Sequence, residues 1–166
     1  MARLVLVGLP GVGKTTIAKE LAHRWECEAL DTDDVFLSRE GLSPAAFLRA
    51  HDEPSFRLQE VDALAAALAS DGVVATGGGV VCTQRGRDLL TREVTLWLDC
   101  DDDVILSRLD EIDRPLLSDK PAASIARLRY ERSPWYDEVS KARVDTAGPI
   151  DLVVRGIVDE ATRLTQ

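Results

Sequence analysis

Leu4-Val5-Leu6-Val7-Gly8-Leu9-Pro10-Gly11-Val12-Gly13-Lys14-Thr15 is the stretch on which the fold turns. From Gly8 onward it fits G-x-x-x-x-G-K-[ST], the loop whose backbone N–H groups close around phosphate. The apolar run before it reads as a buried parallel strand. After it, Ile17, Ala18, Leu21, Ala22 and Trp25 recur at helical spacing and predict one apolar helix face. A glycine-rich turn between strand and helix brings bare N–H groups and the positive end of a helix dipole to one place. A chance glycine-rich turn would not carry both flanks. The stretch predicts a nucleoside triphosphate site. Gly11, Val12, Gly13 and Thr16 line it, Lys14 reaches the β- and γ-phosphates, and the Thr15 hydroxyl ligates Mg²⁺.

Outward from this stretch, strand and helix patterns alternate to the end of the chain. Further strands are expected at Glu28–Leu30, Val73–Thr76, Val94–Leu98 and Ala142–Asp145. A long helix is expected from about Pro54 to Ser70, with Phe56, Leu58, Val61, Leu64, Ala65 and Leu68 on its apolar face. Others are expected over Gln84–Leu90, Asp102–Leu109, Pro121 to about Tyr136, and Ile150 to Leu164. A break is anticipated near Ser133-Pro134. The alternation predicts an α/β fold of three layers, αβα, around a mostly or wholly parallel five-stranded sheet. No repeat or linker divides residues 1–166, so a single domain is expected. Asp110 to Lys120, charged and containing Pro115, lies between two helices where a mobile lid would sit.

A net charge of −9 argues against nucleic-acid or anionic-membrane partners, which need a basic face. Anionic ligands can then dock only where Arg, Lys and backbone N–H groups converge. Cys27, Cys82 and Cys100 have no metal-ligand spacing and read as reduced thiols. Met1-Ala2-Arg3 runs straight into the first strand, and no apolar stretch approaches membrane-spanning length. A cytoplasmic monomer is expected.

Three constellations carry chemistry. Asp31-Thr32-Asp33 follows the second strand, at the carboxyl end where ligands bind open α/β sheets. One carboxylate can hold Mg²⁺ while the other reaches a substrate hydroxyl; with Asp34 they could instead cap the next helix. Gly77-Gly78-Gly79 follows the third strand and offers bare N–H groups to a ligand oxygen, or else makes a plain tight turn. Arg57, Arg114 and Arg132 are cations that gain meaning only from company, since a lone Arg is most often solvated.

In order and spacing these blocks resemble the shikimate kinases, P-loop enzymes of nucleoside-monophosphate-kinase-like fold. The resemblance rests on Gly8–Thr15, Asp31-Thr32-Asp33, Glu53 with Phe56-Arg57 and Glu60, Gly77–Gly79, Arg114-Pro115-Leu116-Leu117, and Glu131-Arg132 with Pro134 and Tyr136. It implies ATP-dependent phosphorylation of the 3-hydroxyl of shikimate, in aromatic amino-acid biosynthesis, with ATP as co-substrate and Mg²⁺ as cofactor. It implies that Thr15 and Asp31 serve the metal, and that Asp33, Arg57, Gly77, Gly78, Gly79 and Arg132 hold shikimate. Lys14, Asp33 and Arg114 would be catalytic, Arg114 closing over the phosphates from a lid at about 110–120. Arg108 and Pro149 would flank adenine, and a helical region at about 34–60 would bind substrate. The chain departs from the family pattern in reading Asp52-Glu53 where Gly-Glu is usual, in an acidic lid without glycine, and in Phe47, one residue out of step. A gluconate-type kinase and a non-catalytic nucleotide sensor are the alternatives.

Overall fold

The structure is a computed structural model and describes residues 1–109 and 120–166. Leu4–Val7 (β1) is apolar throughout and wholly buried, as a central parallel strand covered on both faces must be. Val73–Ala75 (β3) and Thr95–Asp99 (β4) flank it. Ala29–Asp31 (β2) and Ala142–Asp145 (β5) form the edges. The five-stranded sheet has the order β2-β3-β1-β4-β5, and every neighbouring pair is parallel. Burial decides which strands are central. The edge strand β5 alternates half-buried and exposed residues, whereas β3 and β4 are buried throughout.

Eight α-helices cover the sheet among the described residues: Lys14–Arg24 (α1), Thr32–Glu40 (α2), Pro44–Ala50 (α3), Glu53–Leu68 (α4), Gln84–Leu90 (α5), Asp102–Leu109 (α6), Pro121–Val139 (α7) and Ile150–Thr165 (α8). The main core packs around β1, β3 and β4. A satellite cluster of Phe36, Phe47, Phe56 and Ala63 joins α2, α3 and α4 beside it. The span 34–60 thus holds α2, α3 and the start of α4.

Several expectations change. β2 runs one residue later than its apolar pattern, because Asp31 both ends the strand and caps α2, its side chain accepting from the Asp33 N–H. Leu58, expected on the buried face of α4, is 55% exposed. The inward face carries Phe56, Glu60 and Ala63 instead, and the presence of a Glu there is a first sign of a site. Trp25 caps the C-terminus of α1, half-buried, rather than lying within it. The largest change is at Pro134. The helix does not break there; α7 continues to Val139. A proline withdraws one N–H and crowds the carbonyl of residue i−4, here Tyr130. Pro134 and Tyr130 are both exposed, so solvent can take the orphaned carbonyl while the buried face stays unbroken.

Candidate active site

A cavity of about 830 Å³ opens at the carboxyl ends of the strands, between the phosphate loop, α2–α4 and the turn after β3. The loop after β1 forms its floor. Gly8 has φ +149°, and a Cβ there would stand 2.3 Å from the Leu98 carbonyl of β4, so only glycine lets the loop leave the sheet at this point. α1 has no side-chain cap, which leaves its first N–H groups for an anion. Lys14 is buried, its ammonium donating to the carbonyls of Gly8 (2.8 Å) and Leu9 (2.9 Å). The Thr15 hydroxyl donates to Asp31 Oδ2 at 2.5 Å, which leaves the lone pairs of the Thr15 oxygen for another ligand. A hydroxyl beside a carboxylate suits a hard cation that keeps much of its water. Among the described residues no three His, Cys, Asp or Glu side chains converge as a protein-only metal cage. The donor set therefore fits a metal held mainly by phosphate and water oxygens.

The opposite wall is built by α2, α4 and α7. Arg57 on α4 pairs with Glu60 (2.7 Å) and Glu53 (3.4 Å), and its guanidinium lies 5.2 Å from the Phe56 ring centroid. Glu60 is buried, and burial pushes its carboxyl above the ordinary range even though Arg57, and beyond it Arg132, pull the other way. Arg132 on α7 is only 4% exposed. Gly77 keeps Asp33 and Glu60 close: a Cβ there would stand 3.1 Å from one carboxylate and 3.2 Å from the other. The Gly77 N–H donates to the Thr32 hydroxyl at 2.8 Å, tying the glycine turn to α2. Two guanidiniums, a carboxylate and a glycine turn thus face the phosphate loop across one cavity.

Of the residues expected at the site, Gly11, Val12, Gly13, Lys14, Thr15, Thr16, Asp31, Asp33, Arg57, Gly77, Gly78, Gly79, Arg108 and Arg132 all line this cavity. Arg108 does so while bracing the backbone, donating to the carbonyls of Val12 (3.1 Å) and Thr146 (2.7 Å). Pro149 caps α8 and is exposed; its neighbours Gly148 and Ile150 line the cavity in its place. Arg114 and the lid, apart from Lys120, lie outside the described residues. Phe47 is buried against Phe36, ring centroids 5.3 Å apart, and Leu48 rather than Phe47 faces the cavity. The out-of-step aromatic is therefore core, and an aliphatic side chain takes the wall. Sequence reading assigned Glu60 and Tyr136 no role of their own. The signal for Glu60 was available: a carboxylate three residues after Arg57, on a helix face otherwise apolar.

A family model described as shikimate kinase matches residues 10–162. The chain belongs to the shikimate kinase family. Curated relatives agree with that membership. The shikimate kinase of Corynebacterium jeikeium is 39% identical over 148 residues, spanning 88% of this chain and 80% of the relative. That of Corynebacterium glutamicum is 38% identical over 145 residues, spanning 86% of each. A solved shikimate kinase from Acinetobacter baumannii, in complex with shikimate, superposes with a TM-score of 0.86 at 28% identity, covering 98% of this chain and 91% of that one. A gluconokinase from Sinorhizobium meliloti reaches a TM-score of 0.62 at 17% identity, covering 97% of this chain and 91% of that one, a likeness of fold alone. Membership of the shikimate kinase family makes this chain a kinase with ATP as co-substrate. No helix among the described residues is long and apolar enough to cross a membrane.

Proposed function

We propose that the enzyme transfers the γ-phosphoryl group of ATP to the 3-hydroxyl of shikimate, yielding shikimate 3-phosphate and ADP for aromatic amino-acid biosynthesis. The observation that carries this reading is the pair Arg57 and Arg132 facing the phosphate loop across a cavity that also holds Asp33. Two guanidiniums suit a carboxylate, because each planar fork can bind it bidentately and keeps its charge at any working pH. A carboxylate fixed there sets the ring so that one hydroxyl points toward the loop.

Phosphoryl transfer asks a protein mainly for positioning and charge neutralisation. Gly11, Val12, Gly13, Thr15 and Thr16 would wrap the phosphates, with Lys14 on the β- and γ-oxygens. Arg108 would set the nucleotide side by holding the loop to the start of the β5–α8 connection, with Pro149 beside the base. Asp33 would orient the attacking hydroxyl and accept its proton, an effect worth roughly 10²–10⁴-fold in such reactions. Gly77, Gly78 and Gly79 would offer backbone contacts to the ring substituents. Arg114, on a lid at about 110–120, would complete the charge around the transferring group and exclude water. Thr15, and Asp31 directly or through water, would hold Mg²⁺, which when bound supplies positive charge against the phosphates. The reading has one domain, 1–166, working as a cytoplasmic monomer.

An ADP-release assay coupled to NADH oxidation tests it. Turnover with shikimate well above the ATPase background is expected, and little with gluconate. Equal rates with both acids, or none above background with shikimate, would overturn the assignment.

A further inference from the structure

Tyr136 is fully buried on α7, one helical turn beyond Arg132, and packs 5.9 Å, centroid to centroid, from Trp97 of β4. Its hydroxyl donates to the carbonyl of Gly78 at 2.6 Å. Gly78 is the middle residue of the glycine turn, and a Cβ built on it would stand 3.2 Å from Arg132 Nη1. Phenol, guanidinium and Gly78 carbonyl therefore meet at one point behind the cavity wall. Burial drives the phenol far above its ordinary acidity range, with the charge of Arg132 and a hydrogen bond to it pulling the other way, so the group remains a donor at every working pH.

The consequence is directional. In a trans peptide the carbonyl of one residue and the N–H of the next point opposite ways. Fixing the Gly78 carbonyl toward α7 turns the Gly79 N–H away from α7. Gly78 and Gly79 both line the cavity, and their N–H groups donate to no acceptor among the described residues. Glycines rotate more freely than any residue, so their peptide planes are held by contacts to the backbone: the Val80 N–H donates to the Gly77 carbonyl at 3.4 Å and the Cys82 N–H to the Gly79 carbonyl at 2.9 Å, while the Gly78 carbonyl is held by Tyr136. The Gly77 N–H is already held by Thr32, so one end of the turn is anchored to α2 and the middle to α7.

We propose that Tyr136 is a positioning residue for the acceptor substrate: its hydroxyl locks the Gly78–Gly79 peptide so that the Gly79 N–H faces the bound acid. This rests on the shikimate reading of the site. The continuous helix through Pro134 is what makes it possible, because only an unbroken turn puts Arg132 and Tyr136 on one buried face.

Tyr136→Phe keeps the ring against Trp97 and removes only the hydroxyl. The expected result is a KM for shikimate raised ~3- to 10-fold, as for the loss of one oriented hydrogen bond. KM for ATP and kcat should stay within about twofold. An unchanged KM for shikimate overturns the proposal, and so does a parallel rise in both KM values, which would mark general loosening. A second readout needs no substrate. In the ligand-free protein the amide resonances of Gly78 and Gly79 should shift in Tyr136→Phe, while those of Gly11 and Gly13 stay in place. If the wild type does not turn over shikimate, the functional reading fails, and these resonances alone judge the peptide lock: no shift at Gly78 and Gly79 overturns it.

Discussion

A Cβ at Gly79 would stand 2.0 Å from Arg57 Nη1, the far end of a flexible side chain. Gly79→Ala should therefore leave the fold close to intact and push the guanidinium aside. KM for shikimate should rise on the order of tenfold, the worth of a charged hydrogen bond, with a fall in melting temperature smaller than that of Arg57→Ala because the displaced guanidinium stays near Glu60. Gly8→Ala meets a carbonyl of β4 and a positive φ together, with nothing flexible to yield. Its cost should be about 2 kcal/mol or more, read by urea unfolding. Arg57 offers a second separation of site from stability. Arg57→Ala strands the buried Glu60 carboxylate, whose side chain is 10% exposed, and should cost roughly 3–5 kcal/mol besides raising KM for shikimate. Replacing the pair together, as Arg57→Met with Glu60→Leu, should restore most of the stability and none of the substrate affinity. A double variant as unstable as the single one would show that packing, not the buried charge, sets the loss.

Two of the helices that position the site, α2 and α4, start on aspartate caps. Asp52 starts α4 by accepting from the Ser55 N–H at 2.7 Å, and these Ser55 contacts hold its carboxyl below the ordinary value of 3.8. The sign follows from linkage. As pH falls the unfolded chain takes up this proton before the folded one, so the cap's contribution is full above 3.8 and is lost on acidification through the lower folded value. The stability gap between wild type and Asp52→Ala should then narrow steadily below that pH in urea titrations. A gap that stays constant to the acid limit would mean the cap does not depend on charge. α4 matters because its first turns carry Phe56, Arg57 and Glu60. This helix was legible in its apolar spacing, but its facing was not: Leu58 fits the pattern and is exposed, while Glu60 breaks it and is buried. Periodicity counts apolar residues; it does not register that a carboxylate can be buried when an Arg accompanies it.

At the scale of the molecule, the strand order brings the ends of β1, β2 and β3 together, and the phosphate loop, Asp31 and the glycine turn leave from those ends. With a net charge of −9, the overall field opposes anions, and Lys14, Arg57, Arg108 and Arg132 offset it locally at this converging point. Nucleotide binding should therefore be strongly tied to the metal that shares the charge. Saturating ADP with Mg²⁺ should stabilise the protein by about 2.7 kcal/mol at a hundredfold excess over Kd. Excess EDTA should abolish turnover and shrink the ADP-induced shift in melting temperature. An ADP shift indifferent to EDTA would remove Mg²⁺ from the proposed site.

The sequence alone determined the α/β class, the parallel sheet, the phosphate loop and the charged and glycine residues expected at the cavity, apart from Glu60. Those features are written in contiguous residues: an apolar run, a glycine turn, a helical repeat. Arg57, Gly78 and Arg132 could be named from their family pattern, but not joined, because their contacts cross from α4 and the turn after β3 to α7. Only the tertiary structure decided that Phe47 is core and Leu48 is wall, that Glu60 is buried between cations, and that Pro134 leaves α7 whole. Each was settled by what faced the residue in space. A proline on a wet face can be tolerated, and a carboxylate beside an arginine can be buried; the chain's local pattern states neither condition.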